Sequence, residues 1–480
     1  MLRIFQILIL LTLIFIFLQD CILLIGTQQL LIAPFFIVTV LLVLFFVKPK
    51  YFLIKLLDIY KYTPFKYLVF FILFMFFTSV VLFNIGVTTM IISRIILIYG
   101  LTVIPAILFA IYIFPKYFSY KKLLHFFIYA YQLIIYYGIL DFLCRILFRT
   151  KAPLYSIICS RNYYSHVLGY SVNLSSELLE RASSIFFEPS FFATFIFLFI
   201  PFCYVLYRSN LKILNDLTVD KFFKIYLIVI SWIALFLTKS PIYIILSFVY
   251  IPIFFYKNVI KFLKKYVFIL ILLFFLLPIG FLSINPESSI SNNPVIVRVE
   301  HTIRSFGDLE SLVVVEPSLA TRIISTVNTF QAVKKHPLVG VGYGNTKETM
   351  YKQYSNTNTP LTYEILRSMW TGMCFASPNI FWSYLLQTGF IGTFLLYLYF
   401  IKSLITANKI KFYFIKQERV LLETAILIAI NYIIISFYWS IDIYPMMWFI
   451  FGILNSFIFL YKNQVKKYKM EKKYVENDIT

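Results

Sequence analysis

What most constrains this chain is the recurrence of predominantly apolar stretches, each about the length that crosses a bilayer. A transmembrane helix needs roughly 20 predominantly apolar residues. Stretches of that kind fall at 4–25, 30–47, 67–87, 95–114, 123–143, 190–207, 222–238, 241–256, 266–284, 379–400, 421–437 and 443–461. Composition agrees: 61% of the residues are hydrophobic and 13% are charged, where soluble domains run near a quarter charged. The fold class expected is therefore an all-α polytopic membrane protein with about 12 transmembrane helices. Residues 1–461 are expected to form a single transmembrane domain and 462–480 a basic cytoplasmic tail.

A net charge of +22 would suggest nucleic acid in a soluble protein, but the distribution of charge excludes that partner here. The cations sit in short loops after every second stretch: Lys48, Lys50, Lys55, Lys61 and Lys66, then Lys116, Lys121 and Lys122, then Arg208, Lys212, Lys221 and Lys224. Lys257, Lys261, Lys264 and Lys265 continue the series, followed by Lys402, Lys409, Lys411, Lys416 and Arg419, and by the tail. The short alternate loops carry only Arg94 and Lys239. Basic loops stay in the cytoplasm, so both termini are expected there. A bacterial cytoplasmic membrane is the location expected.

Two segments depart from the short-loop rule, 144–189 and 285–378, and both are expected on the outer face. Long ordered loops are commonly functional. The first ends in Arg181-Ala182-Ser183-Ser184-Ile185-Phe186-Phe187-Glu188-Pro189-Ser190. Pro189 suits the first turn of the following helix, since its missing N–H costs nothing there. Glu188 is then either a cap favoured by the helix dipole or a carboxylate that takes a proton from a substrate hydroxyl. The second loop contains Thr321-Arg322, then His336-Pro337-Leu338-Val339-Gly340-Val341-Gly342-Tyr343-Gly344-Asn345. Between them, Ile323, Ile324, Val327, Phe330 and Val333 are spaced as the one apolar face of an amphipathic helix. A third block runs Ser377-Pro378-Asn379-Ile380 and then Gly389-Phe390-Ile391-Gly392 within an apolar stretch, where small residues permit close packing.

Two glycine motifs are excluded by context. Gly340-Val341-Gly342-Tyr343-Gly344 nearly spells a potassium-channel filter, yet the next span starts far downstream and the architecture is wrong for a channel. A dinucleotide fingerprint needs another spacing and a βαβ unit. The cysteines show no paired metal-ligand spacing, and no metal or cofactor is expected.

Taken in this order and on this topology, the three blocks resemble the bacterial O-antigen polymerase and O-antigen ligase family. Arg181 to Ala193 resembles its segment in which an Arg precedes a helix start of Glu or Asn, Pro, then Ser or Asn. Arg322 followed by His336 to Gly342 resembles its large-loop signature, the most specific match. Asn379 to Gly392 fits a polar residue, nine positions, then Gly-x-x-Gly. There are two departures. Pro378 stands where ligases place a His, which favours the polymerase branch, and Pro241 stands where relatives carry an Arg, leaving Lys239 as the nearest cation.

The resemblance implies a GT-C-like, metal-independent glycosyltransferase. It would move a glycan from polyprenyl pyrophosphate to a hydroxyl on another lipid-linked unit, making O-antigen, capsule or exopolysaccharide. The partners implied are the lipid-linked oligosaccharide and the bilayer, with a chain-length regulator and a flippase. The residue chemistry fits, because the leaving diphosphate is a polyanion and Arg binds phosphate bidentately while staying charged. Arg181 and Arg322 are the candidates for that electrostatic role, with Glu188 or His336 to activate the acceptor. His336, beside a Pro and glycines, suits an orienting role in a fixed turn. Arg161, Arg304, Gly340, Gly342, Asn345 and Asn379 are the candidate substrate contacts. Two alternatives stay in view: a ligase of the same fold, and a lipid-linked oligosaccharide flippase or other transporter. A transporter would need charged or broken helices near the midplane.

Overall fold

The computed structural model describes residues 2–18, 22–25, 28–81, 95–148, 181–184, 186, 189–209, 217–240, 309–315, 317–357, 360–370, 379–437 and 445–479, with a few isolated positions besides. The expected spans at 241–256 and 266–284 lie outside these residues.

The described chain is helical apart from one short hairpin. Helix α1 (Leu2–Phe17) is followed by antiparallel strands β1 (Ile22–Ile25) and β2 (Gln28–Leu31), with Ile22 opposite Leu31. The helix expected over 4–25 therefore stops at Phe17, while the class is helical as expected, this short hairpin aside. Helices α2 (Ile32–Val47) and α3 (Pro49–Tyr62) follow, bent by 117° at their junction. Pro49 explains the bend, because a proline disfavours helical backbone in the residue before it, and Lys48 indeed leaves the helical region. Next come α4 (Phe65–Val81), α5 (Ile96–Ile113, opening on a π-helical stretch), α6 (Tyr120–Phe148), α7 (Pro189–Arg208) and α8 (Leu217–Leu237).

Past the second expected loop boundary lie α9 (Leu309–Val315), α10 (Pro317–Lys335), α11 (Thr346–Ser355) and α12 (Tyr363–Trp370). The chain closes with α13 (Ile380–Ile410), α14 (Lys416–Ser436) and α15 (Pro445–Ile479). Six of the described stretches are long and apolar enough to cross a membrane: Ile96–Ile113, Tyr120–Phe148, Pro189–Arg208, Ile380–Tyr413, Lys416–Ser436 and Pro445–Lys466. The bent pair α2–α3 makes a seventh if it counts as one broken span. Helices α1 and α4 are apolar but shorter than that test requires, and α8 opens on Asp220, Lys221 and Lys224. The protein is thus a multi-pass membrane protein.

Packing divides the chain into two compact units. One comprises residues 1–240, 391–436 and 440–480; the other comprises 241–390 and 437–439. The first is held by aromatic rings and by hydrogen bonds that tie buried polar groups between helices. Tyr120 stacks on Phe457 at 4.2 Å and its hydroxyl meets Ser456 Oγ at 2.9 Å. The Tyr131 hydroxyl donates to Ser231 Oγ, joining α6 to α8, and Asn431 Nδ2 donates to the Phe197 carbonyl, joining α14 to α7. Inside hydrocarbon no water can satisfy such groups, so each must find a protein partner.

The core of the second unit gathers Leu312, Ala320, Ile324, Val333, Val341, Met350, Ile365, Leu385 and Leu386. Its central helix, α10, keeps Ile324 and Val333 of the expected face in the core with Ile323 packed against it, and departs from that face at two positions. The buried side carries Ala320, Thr321, Ile324, Ser325, Asn328, Thr329 and Ala332, while Val327 and Phe330 are exposed. The small and hydroxylated side chains let neighbouring helices approach: Thr321 Oγ1 meets Thr362 Oγ1 at 2.6 Å, and Thr329 Oγ1 donates to Met350 Sδ at 3.8 Å.

Candidate functional site

The first candidate region lies in the first unit, where residues 181–186 lead toward α7. Arg181 Nε donates to the Thr238 carbonyl at 2.8 Å and Nη2 donates to Ser240 Oγ at 3.0 Å. The next residue continues the attachment, the Ala182 N–H reaching the Leu237 carbonyl at 3.0 Å. The guanidinium is therefore oriented by the turn that ends α8. Lys239, the nearest cation to the missing family arginine, sits in that turn with a left-handed φ of 49°. Non-glycine residues adopt this backbone only where surrounding structure enforces it. Helix α7 begins at Pro189, as its ring geometry suggests.

Behind Arg181 lies a network that sequence inspection missed. Asp141 and Arg145 pair on α6 at 2.9 Å, both fully buried. The Ser183 N–H and hydroxyl donate to the same Asp141 oxygen at 3.0 and 3.2 Å, and Arg145 Nη2 donates to Ser183 Oγ. One residue on, Ser184 adopts φ 53° and donates to the Ile134 carbonyl at 2.8 Å. Residues 134, 141 and 145 occupy one stripe of α6, so the helix presents a ready-made cradle for the Ser183-Ser184 pair. The signal was present in the sequence: a carboxylate four residues before an arginine shares its helix face, and an ionisable residue inside a span is a functional candidate in its own right. It was hidden because the helix was expected to end at residue 143, whereas it runs to Phe148.

The second candidate region lies in the second unit. Arg322 stands in the second turn of α10 and is half-buried. The helix ends at Lys335, and the chain turns at once. The His336 N–H donates to Val333 O and the Gly340 N–H to His336 O, both at 3.0 Å. The His336 side chain is exposed. This turn then docks on α13 at the point where that helix breaks. Gly389 adopts φ 60° and ψ −168°, outside helical geometry. A break frees backbone groups that must be satisfied elsewhere, and here the turn supplies partners for three of them. The Val341 N–H donates to Leu386 O at 2.8 Å, the Gly342 N–H to Gln387 O at 2.9 Å, and the Phe390 N–H to Pro337 O at 2.8 Å.

Such contact of backbone with backbone requires glycine on both sides. A β-carbon on Gly340 would stand 2.5–2.7 Å from the 386–389 backbone, and one on Gly389 would stand 2.3 Å from the Leu338 carbonyl. Gly340 and Gly342 both have positive φ, and their N–H groups are engaged within the chain. Asn379 Oδ1 accepts the Trp382 N–H at 2.9 Å, so it is the N-cap of α13. Asn379→Ala is expected to cost about 1 kcal/mol of stability, measurable as a lower thermal midpoint that Asn379→Ser largely restores. Asn345 immediately precedes α11 and is half-exposed. Glu188, Arg161 and Arg304 lie outside the described residues.

Residues 226–397, over a third of the chain, match a family model described as O-Antigen ligase. The matched stretch takes in Arg322, the His336–Gly342 turn and the break at Gly389, while the Arg181 segment precedes it. No curated protein matches the chain.

Proposed function

From membership of the O-antigen polymerase and ligase family, we propose that this chain is a polysaccharide polymerase working at the outer face of a bacterial cytoplasmic membrane. It takes a growing glycan from polyprenyl pyrophosphate and joins it to a second lipid-linked repeat unit. The family match over Arg322 and the His336–Gly342 turn carries this reading. The alternation of basic loops supports the orientation, with both termini in the cytoplasm.

In this reaction an acceptor hydroxyl attacks the anomeric carbon of the donor's reducing-end sugar. The bond from that carbon to the diphosphate oxygen breaks, the lipid diphosphate leaves, and the hydroxyl proton passes to a base. Charge develops on the departing phosphate oxygen, and guanidinium groups held in place stabilise it without reorganising. Arg181, oriented by the Thr238–Ser240 turn, and Arg322, on a rigid helix, are suited to that work. Glu188 or His336 takes the proton in this scheme, and Arg161 and Arg304 add further donors for the anionic substrate.

The ligase reading has one observation in its favour, the description of the matching family; Pro378, where ligases carry His, favours the polymerase. A carrier would need charged or broken helices with groups left for cargo. The buried Asp141–Arg145 pair and the break at Gly389 are such features, yet Asp141 pairs with Arg145 and the broken backbone bonds to the 337–342 turn.

Arg322→Ala is expected to leave protein abundance unchanged and to lower the transfer rate by about 10²–10³, the usual consequence of removing one preorganised donor. Surface glycan on a gel should collapse to single-repeat length. A wild-type ladder in that variant removes Arg322 from the mechanism. Deleting the gene separates the two transferases, since one repeat on the acceptor marks a lost polymerase and free lipid-linked polymer marks a lost ligase.

A further inference from the structure

Helix α7 carries a proline in its interior, Pro201, buried like the residues on either side of it. A proline at such a position has no N–H for the carbonyl four residues earlier, and its ring pushes against that same carbonyl. In α7 the carbonyl is that of Phe197. Inside the hydrocarbon layer no water answers such a group, so a neighbouring helix must. Asn431 does so from α14, its Nδ2 donating to Phe197 O at 2.8 Å in a buried contact. Ile426 to Ile430 precede this asparagine without one polar side chain. A carboxamide in such a run is costly unless it is hydrogen-bonded, and among the described residues Asn431 Oδ1 has no hydrogen-bond partner. What the side chain contributes is therefore its donor.

The place of this bond ties it to the candidate site of the first unit. Pro201 divides α7 in two, and the part that begins at Pro189 carries Phe192 and Phe195. Both rings pack against Phe186, with centroids 6.0 and 5.3 Å away. Phe186 belongs to the same short segment as Arg181, Ser183 and Ser184. Phe192 also fills the space beside α6: a β-carbon on Gly138 would stand 2.3 Å from its ring and 3.2 Å from the Ser184 β-carbon. The first part of α7 is thus a wall against which residues 181–186 are set. Proline is a usual site of helix bending, because the ladder is one bond short there, and Asn431 supplies the missing tie from outside the helix.

We propose that Asn431 is a positioning residue: its amide replaces the hydrogen bond that Pro201 removes, and so holds the first part of α7 against the segment that carries Arg181. The bond replacement stands whatever reaction the protein performs, whereas the positioning role rests on the glycan-transfer reading. Wild type, Asn431→Leu, Pro201→Ala and the double variant test both. Leucine has the branched outline of asparagine and no donor, and any cost of its larger methyl groups is common to the two backgrounds. With Pro201 in place, Asn431→Leu should lower the thermal midpoint in detergent by about 2–4 °C. In the Pro201→Ala background a main-chain N–H serves the Phe197 carbonyl again, and the same change should cost less than half as much. Equal losses in both backgrounds overturn the proposal. Should Asn431→Leu alone fail to accumulate, recovery of its abundance by Pro201→Ala reads the same coupling, and no recovery overturns it. The positioning role is read in cells as polymer made per molecule of membrane protein. Asn431→Leu should lower this by about 10–10²-fold, the scale of loss when a group is displaced by an ångström or less, and adding Pro201→Ala should restore most of it. Coupled midpoints with undiminished polymer overturn the positioning role. An unchanged glycan ladder after deletion of the gene overturns the transfer reading instead, and the midpoints then decide for or against the bond itself.

Discussion

Asp141→Ala is expected to destabilise the protein by roughly 3–5 kcal/mol, the range for breaking one side of a buried ion pair. The cost comes chiefly from Arg145, which would keep its charge inside the membrane domain with its carboxylate gone, and secondarily from Ser183, whose N–H and hydroxyl lose their acceptor. Thermal unfolding of detergent-solubilised protein measures it. The same physics makes a sharper prediction for the pair. Asp141→Leu combined with Arg145→Met removes both charges, and buried pairs replaced by apolar residues of similar volume are often neutral or better. The double variant should therefore melt far closer to wild type than either single one, a coupling that a double-mutant cycle resolves. It should still be defective in polymer synthesis, because the 181–184 segment that carries Arg181 loses its anchor at Ser183, although the guanidinium keeps its own contacts to Thr238 and Ser240. If the double variant makes full-length glycan, the network has no part in orienting Arg181.

Gly389→Ala is the second substitution expected to have a large effect, about 3 kcal/mol. Two terms add. Backbone at φ 60° and ψ −168° lies in a region essentially reserved for glycine and costs an alanine roughly 1–3 kcal/mol, and the new methyl group would meet main-chain atoms at 2.3 Å, an overpacking usually worth about 1–3 kcal/mol. No rotamer change relieves it, because the obstacle is the Leu338 carbonyl rather than a side chain. Gly340→Ala meets the reciprocal obstacle from the Leu386–Gly389 backbone. Once either has forced the turn away from the break, the other has little left to disrupt, so the two penalties should be clearly sub-additive. Unfolding midpoints of the two single variants and the double variant test this directly; strict additivity would show that the glycines act independently.

The apolar spans over α7, α13, α14 and α15 were legible in the sequence because length and hydropathy report directly on burial in lipid. So was the start of α7 at Pro189, which depends only on local backbone chemistry. What escaped was non-local or two-valued. Asp141 and Ser183 lie 42 residues apart in the chain, and no periodicity within α6 reveals what its polar stripe will meet. Gly389 inside an apolar run is compatible with close helix packing or with a broken helix, and only the approach of the 337–342 turn decides between them. For α10, apolar residues at helical spacing normally face a core. Here Ile324 and Val333 do face the core, but Ser325, Asn328 and Thr329 share that side, while Val327 and Phe330 turn outward.

The joint at Gly389 also bears on how such proteins can diverge. Gly340 and Gly389 are almost fifty positions apart, yet each is required both by its own positive φ and because the other segment's main chain occupies the space a methyl group would fill. Neither can be exchanged first without penalty, and once one is gone and the turn has moved, selection on the other weakens. Among descendants of this chain the two positions should be inherited as a unit, kept together or lost together.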